Sequence, residues 1–216
     1  MPGGLDMGTP KDSKKTRTKL IEAAGQLFAQ KGFNGVTVRD IAQKANTHLS
    51  ALNYHFRTKE ALYHEVLMAA CRSDSIALED QKLFLKMKPH DALFLLVKEA
   101  LKEYRKLSAS NWRMVLITRE CREPSLSFEE MSKVYLKPET DFLAELIGRA
   151  VGKPSTDYHV RFAVITMIGL LETFGLYGHL IDAVAPGLYN HFKKKNGLAQ
   201  HIVHLVLTAA DPSTEV

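Results

Sequence analysis

Apolar positions recur at helical spacing in the first third of the chain, and they predict its first element. Lys31 and Gly32 supply the cationic last turn and the glycine stop that are typical of a helix end. The spacing predicts a helix over 14–31, preceded by a flexible arm over 1–13 that is rich in Gly, Pro, Asp and Lys. The residues that share one face of this helix are Leu20, Ala23, Ala24, Leu27 and Phe28.

Two short helices are predicted next, before a longer one. Thr37 with Asp40 three residues later forms a short acidic variant of the capping box, and it begins a helix of about two turns. The polar stretch "NTH" over 46–48 ends that helix. Thr58 then caps a longer fourth helix. Between them lies another short helix, whose inward face is predicted to be Leu49, Leu52 and Phe56.

Beyond about residue 73 the pattern remains helical, and prolines punctuate it. The sequence shows no alternating strand pattern and no internal repeat. The predicted fold class is therefore all-α. We predict further helices over 74–86, 90–107, 111–121, 126–150, 157–184 and 196–210.

The charge of the chain is unevenly distributed. The net charge is +5, with 45% hydrophobic and 25% charged residues, as in an ordinary soluble globular protein. Residues 1–72 contain 11 Lys and Arg against 6 Asp and Glu, whereas residues 73–216 contain 18 of each. A basic excess at one end is expected where that end meets a polyanion. A merely soluble N-terminal surface is the alternative explanation.

The remaining composition indicates a cytoplasmic protein that does not bind a membrane. The first ten residues lack the continuous apolar segment of a secretory signal. No apolar stretch reaches the roughly 18 uncharged residues of a membrane span, and the longest candidate, 162–171, ends at Glu172. Cys71 and Cys121 are expected to be thiols that take part in packing, as is usual in a reducing compartment.

The two short helices have the dimensions of a helix-turn-helix, whose second helix fits the major groove of DNA. If its apolar residues face the core, Ser50, Asn53 and Tyr54 project outward, with His48 at the entry and His55 at the exit. These side chains can hydrogen-bond to base edges and phosphates, and Asn is suited to bidentate contact with adenine. A solvated helix face is the alternative.

Residues 16–67 resemble the N-terminal DNA-binding domain of TetR-family transcriptional regulators. The separated elements that agree are Lys31-Gly32-Phe33, the helix that begins at Thr37-Val38-Arg39-Asp40-Ile41-Ala42, and Phe56-x-x-Lys59-Glu60-x-Leu62. Asn46 replaces the usual glycine of the turn, and asparagine tolerates a left-handed backbone. His48 stands where the family usually has a small hydroxyl residue that caps the second helix of the motif, so Thr47 is the alternative cap. The segment that begins "TRECREPSLSFEEM" is similar to the CecR-like subgroup.

The resemblance implies a ligand-responsive repressor that binds a palindromic double-stranded DNA operator as a dimer. Thr37 and Lys59 would contact phosphates on the two sides of the groove. Lys14, Lys15 and Arg17 could follow the backbone from the arm, or be solvated. The candidates for base or groove contacts are Arg39, His48, Leu49, Ser50, Asn53 and Tyr54, with His55 beside them.

The resemblance also implies a division into a helix-turn-helix domain, 14–62, and an effector-binding and dimerisation domain, 63–211. Segment 157–181 is apolar on nearly all sides and 196–210 has one apolar stripe, so the helices 157–184 and 196–210 could form a homodimer interface or a monomeric core. Arg119 could anchor an anionic effector, although an ion pair with a carboxylate is the commoner role. The candidate effector residues are Trp112, Arg119, Glu120, Phe174, Tyr177 and His179.

The sequence offers little support for catalysis or metal binding. His201 and His204 have a spacing compatible with metal ligation, but no acidic or cysteine partner lies at a companion spacing. There is no glycine-rich phosphate loop, no G-x-S-x-G and no Cys with a recognisable base. We therefore predict neither an enzyme nor a cofactor. A helical protein that binds a small molecule without binding DNA is the alternative function.

Overall fold

The computed structural model describes residues 10–107, 112–192 and 197–211, and within these ranges it contains helices and no β-strand. This confirms the predicted all-α class. Cys71 and Cys121 do not form a disulfide; the first is buried and the second exposed. The helices are α1 Pro10–Lys31, α2 Val38–Lys44, α3 Leu49–Phe56, α4 Lys59–Asp74, α5 Leu78–Lys86, α6 Pro89–Leu107, α7 Trp112–Arg122, α8 Phe128–Met131, α9 Lys137–Val151, α10 Tyr158–Leu176, α11 Gly178–Val184, α12 Leu188–Phe192 and α13 Gly197–Ala210.

Several boundaries differ from the prediction. Helix α1 begins at Pro10, inside the segment predicted as a flexible arm, because proline is tolerated in a first turn and Asp12 is favourable there; residues 1–9 lie outside the described ranges. The predicted helix 126–150 is divided into α8, a π-helical turn Ser132–Leu136 and α9. The predicted helix 157–184 is interrupted at Tyr177, whose φ and ψ of −101° and 39° are not helical.

The chain divides into two compact units. Unit 1 comprises the described parts of Met1–Ser75 and Trp112–Lys133, and therefore holds α1–α4, α7 and α8. Helix α7 packs against α1 and α4 there. The compact unit that contains the helix-turn-helix therefore also contains α4, α7 and α8, whereas the functional boundary at 62/63 stays a prediction. The fully buried side chains of this unit include Leu20, Phe28, Ile41, Leu52, Leu62, Leu67 and Leu116.

Unit 2 comprises the described parts of Ile76–Asn111 and Val134–Val216. Helix α10 packs against α6, α9 and α13. Lys153, just before α10, donates to the Ala210 carbonyl at the end of α13, at 3.0 Å, so α10 and α13 run antiparallel. By length and composition α10 could span a membrane, but one such helix is weak evidence. Its inward residues Ala163, Val164 and Met167 belong to the core of this unit.

Candidate nucleic-acid interface

Helix α2 begins with a complete capping box. The Thr37 Oγ1 accepts from the Asp40 N–H at 3.2 Å and donates to the Asp40 carboxylate at 2.8 Å, while the Thr37 N–H donates to the same carboxylate at 2.9 Å. The backbone hydrogen bond from Thr37, followed by the bond from its side chain, lowers the pKa of Asp40. The predicted capping box is therefore present, and it engages the Thr37 hydroxyl within the protein.

The turn before α3 contains the left-handed backbone residue that the sequence predicted at Asn46. Asn46 adopts φ 50°, a left-handed conformation. The N-cap of α3 is His48, whose side chain makes no capping bond within the described chain. Thr47 does not cap the helix instead; its Oγ1 is buried and has no hydrogen-bond partner among the described residues. The first N–H groups of α3 are therefore not capped by a side chain of the turn.

Helix α3 separates an apolar side from a polar side. Leu52 and Phe56 are 0% and 4% exposed, whereas Leu49, predicted to face inward with them, is only partly buried. Tyr54 is 79% exposed and its ring lies edge-on to His55. Burial, followed by the nearby Arg17 charge, lowers the pKa of the partly buried His55. The predicted contact residues that are exposed are Thr37, Arg39, His48, Ser50, Asn53 and Tyr54.

Lys59, at the start of α4, is engaged within the protein. Its Nζ donates to the Phe33 carbonyl at 3.0 Å and to the Val36 carbonyl at 3.1 Å. The ammonium also lies 4.1 Å from the centroid of the Phe33 ring. Both carbonyls belong to the turn between α1 and α2, so the lysine that was predicted to contact a phosphate joins α4 to that turn.

Arg17, a candidate of the predicted arm, lies on α1 and also contacts the protein. Its Nη2 is 2.8 Å from the Glu65 carboxylate on α4. Its guanidinium lies 5.3 Å from the Phe56 ring centroid at the end of α3. These contacts join α1 to α3 and α4, a role that charge counting could not distinguish from contact with a phosphate.

The candidate effector residues fall into both units, and neither unit contains all six. In unit 1, Trp112 is buried and donates to Glu22 at 2.8 Å, and Arg119 pairs with Glu123 at 3.3 Å. Glu120 is 1% exposed. Phe174, Tyr177 and His179 lie in unit 2, where Phe174 is partly buried and the other two are exposed.

A hydrogen-bond network in unit 1 was missed by the sequence analysis. Glu120 accepts from the Tyr63 hydroxyl at 2.6 Å and from the Ser125 N–H and hydroxyl at 2.7 and 2.6 Å. Burial, followed by the hydrogen bond with Glu120, raises the pKa of the Tyr63 phenol. Tyr63 and Glu120 are 57 residues apart, so no local spacing could have indicated the pair.

His201 and His204, the pair considered for metal binding, are both exposed on α13. The ring of His201 stacks on Phe192 with 5.5 Å between centroids. Within the described ranges, no group of three or more His, Cys, Asp or Glu side chains could hold a metal ion.

Comparison with known families finds two matches that together cover most of the chain. Residues 20–66 match the model described as "Bacterial regulatory proteins, tetR family". Residues 89–211, more than half of the chain, match "HTH-type transcriptional dual regulator CecR, C-terminal domain". Both similarities that the sequence motifs suggested are thereby confirmed.

The curated relatives described next each match less than a third of the chain. The probable HTH-type transcriptional regulator YttP of Bacillus subtilis is 38% identical over 64 residues, 30% of this chain and 31% of that protein. The HTH-type transcriptional repressor KstR2 of Mycolicibacterium smegmatis is 39% identical over 59 residues, 27% and 29% of the respective chains. The matched region thus spans about a third of the length of these relatives.

Solved structures match nearly the whole chain and support the fold. HlyIIR, a hemolysin II transcriptional regulator, gives a TM-score of 0.63 at 18% identity, over 89% of this chain and 97% of that one. The regulator FadR from Bacillus subtilis, solved in complex with stearoyl-CoA, gives a TM-score of 0.59 at 18% identity, over 89% of this chain and 98% of that one. At these identities the likeness shows a helix-turn-helix followed by a helical domain.

Proposed function

The chain belongs to the TetR family of bacterial regulatory proteins, and from this premise we propose that it is a ligand-responsive transcriptional repressor. It binds a palindromic double-stranded DNA operator as a homodimer, in the cytoplasm. A small-molecule effector lowers its affinity for the operator. The observation that carries the proposal is the polar, exposed side of α3 in a helix-turn-helix whose first helix, α2, begins with a capping box.

The exposed side of α3 has the chemistry of a groove-reading surface. Ser50, Asn53 and Tyr54 are exposed together, while Leu52 and Phe56 hold the helix against its neighbours. Hydroxyl and amide groups donate to and accept from base edges, and an asparagine can bind adenine through two hydrogen bonds. Arg39, exposed on α2, adds a cation to the helix-turn-helix. Phosphate attraction then supplies affinity, and the α3 side chains supply specificity.

Selection of duplexes from a random DNA pool, followed by titration of the selected duplex at several salt concentrations, tests the proposal. A regulator should enrich a sequence with two-fold symmetry. Its binding constant should fall steeply as salt rises, because each neutralised phosphate releases counterions. A protein that enriches no sequence, or whose binding is independent of salt, is not a DNA-binding regulator.

Asn53→Ala is expected to weaken binding to the selected duplex by about tenfold, because a bidentate base contact contributes roughly 1–3 kcal/mol. Binding to a scrambled duplex should be unchanged. Fluorescence anisotropy with both duplexes measures the effect. Asn190→Ala, on α12, removes another exposed asparagine and serves as the control. Equal binding of wild type and Asn53→Ala to the selected duplex would remove Asn53 from the contact residues.

The homodimer is proposed to form through α10 and α13, as 157–184 and 196–210 were predicted to do. Tyr158, Phe162 and Ile165 are 91%, 63% and 64% exposed and recur at helical spacing along α10. Leu205 on α13 is 40% exposed. Since apolar side chains in such a stripe favour burial, two copies could pack these helices as a four-helix bundle. The two-fold axis would supply the two copies of α3 that a palindromic operator requires.

Ile165→Glu is expected to raise the dimer dissociation constant by at least about tenfold, because it places a charge in a contact that two-fold symmetry repeats. Sedimentation velocity over a range of protein concentrations measures the change. Leu83→Glu, on α5, adds the same charge at a leucine that is 59% exposed, and it is the control. A dimer that survives Ile165→Glu unchanged would place the interface elsewhere.

The effector is proposed to bind in unit 2, where Phe174, Tyr177 and His179 lie near the end of α10. The solved FadR regulator holds stearoyl-CoA, which makes an acyl thioester a reasonable first compound to test. Binding must differ between the DNA-binding and released states of the protein, since an effector shifts an equilibrium only by its differential affinity. Titration of the protein with candidate compounds in the presence of the selected duplex tests this part of the proposal.

A further inference from the structure

The ammonium of Lys59 is surrounded by protein groups. Two carbonyl oxygens, those of Phe33 and Val36, accept from it at 3.0 and 3.1 Å, and the face of the Phe33 ring lies 4.1 Å away. An ammonium has three N–H donors, so two of them are directed to the turn between α1 and α2. The side chain is partly buried, and a phosphate would have to compete with these contacts.

The Val36 carbonyl that Lys59 holds is part of the peptide that begins α2. The N–H of the same peptide belongs to Thr37 and donates to the Asp40 carboxylate at 2.9 Å. This peptide is therefore fixed on its oxygen side by Lys59 and on its nitrogen side by the capping box. Because Thr37 is the N-cap of α2, Lys59 fixes the point at which the first helix of the helix-turn-helix begins.

The backbone of Lys59 itself is also fixed, at the junction between α3 and α4. Lys59 is the first residue of α4 and directly follows Thr58, whose hydroxyl caps α4 by accepting from the Ala61 N–H at 3.1 Å. The Thr58 N–H donates to the carbonyl of Phe56, which is the last residue of α3, at 2.6 Å. Lys59 thus ties the end of α3 to the beginning of α2.

The Phe33 ring provides a firm support for the lysine. It lies 6.0 Å from the Phe28 ring and 5.2 Å from the Tyr63 ring, centroid to centroid. Phe28 is fully buried and Tyr63 is 5% exposed. The Phe33 ring, and the carbonyl of the same residue, are therefore held by the core of unit 1.

We infer that Lys59 is a positioning residue, which acts on DNA recognition by fixing α2 and α3 relative to each other. This role goes beyond the phosphate contact that the family resemblance implies for this position. The inference rests on the proposed DNA-binding function for its consequence, but its structural part can be tested without DNA.

Hydrogen exchange of the free, full-length protein tests the structural part. Lys59→Gln removes the charge and disturbs both carbonyl contacts, so amide exchange over residues 33–44 should rise by about tenfold, while α7 and α10 keep their protection. Lys82→Gln, on α5 in unit 2, removes the same charge from an exposed position and should change nothing over 33–44. Wild-type exchange over 33–44 in Lys59→Gln would overturn the inference.

Salt-dependent binding of the selected and the scrambled duplex distinguishes positioning from a role confined to phosphate contact. A positioning lysine predicts that Lys59→Gln loses more affinity for the selected duplex than for the scrambled one. A lysine that only contacts a phosphate predicts equal weakening for both duplexes, with a slope of log K against log salt smaller by about one, and that result would overturn the inference. If wild type binds neither duplex, the proposed function fails, while the exchange result still decides the structural role.

Lys59→Arg is the second variant and applies if Lys59→Gln does not fold. It keeps the positive charge for a phosphate but replaces a compact ammonium by a planar guanidinium, which cannot occupy the same space between two carbonyls and a ring. Positioning predicts raised exchange over 33–44 and a reduced ratio of selected to scrambled binding. Wild-type values of both quantities would overturn the inference.

Discussion

Glu120→Ala is expected to lower the free energy of unfolding by about 3–4 kcal/mol, as measured by urea denaturation followed by circular dichroism. The side chain is 1% exposed, and three donors are directed at its carboxylate: the Tyr63 hydroxyl and the N–H and hydroxyl of Ser125. Truncation leaves these donors without their acceptor and also opens a cavity, and each effect costs roughly 1–3 kcal/mol.

The same carboxylate connects a longer series of hydrogen bonds. The Ser125 hydroxyl accepts from the Ser127 N–H at 3.1 Å, and the Ser127 hydroxyl lies 3.3 Å from His64 Nδ1. His64 Nε2 is in turn 3.5 Å from the Glu130 carboxylate. Because Tyr63 and His64 both belong to α4, the network fastens α4 to α7 and α8 at two adjacent residues, and the loss of Glu120 should weaken both attachments.

Two variants control for the loss of charge. Glu120→Gln keeps the shape, one acceptor oxygen for Ser125 and an N–H that can donate to the Tyr63 oxygen, so we expect a smaller loss of about 1 kcal/mol. Glu123→Ala removes an exposed carboxylate that pairs with Arg119 at 3.3 Å, and a surface pair contributes little. If Glu120→Ala and Glu123→Ala cost the same, the network does not stabilise the protein.

Gly175→Leu is expected to lower the free energy of unfolding by about 3 kcal/mol, through overpacking of the α6–α10 contact in unit 2. A Cβ at position 175 would lie 2.4 Å from the Tyr104 Cβ and 2.8 Å from its Cγ. The nearest atom is bonded to the α6 backbone, so a rotation of the Tyr104 ring cannot relieve the contact. The helices must move apart, and the core contacts around them are lost.

Gly178→Leu is the matched control for this prediction. It lies three residues further along, and no described heavy atom within 4 Å would meet a Cβ there. The same change should alter the free energy of unfolding by less than about 1 kcal/mol. Leucine has a higher helix propensity than glycine, and no steric clash opposes that gain at this position. The combination of Gly175→Leu with Tyr104→Ala should remain unstable, because alanine retains the Cβ. Full stability of Gly175→Leu alone would contradict the close approach of α6 and α10.

The features that the sequence predicted well are local. The spacing of Leu20, Phe28 and their neighbours predicted α1, because helix periodicity relates residues three or four positions apart. The Thr37–Asp40 capping box and the left-handed Asn46 were predictable for the same reason, since every partner lies within a few residues. The outward direction of Ser50, Asn53 and Tyr54 followed from the apolar positions between them.

The features that the sequence did not predict depend on distant partners or on backbone breaks. The interruption at Tyr177 and the π-helical turn Ser132–Leu136 lie inside segments whose helical pattern continues on both sides, so periodicity extended the predicted helices across them. Lys59 has the charge expected of a phosphate ligand, but its acceptors are 23 and 26 residues away. The sequence alone therefore determined the helical class, the caps of α2 and α4 and the exposed side of α3, because these depend on neighbouring residues. Only the tertiary structure decided that Lys59 and Glu120 hold the protein together, because their partners come into reach only when α1, α4 and α7 pack.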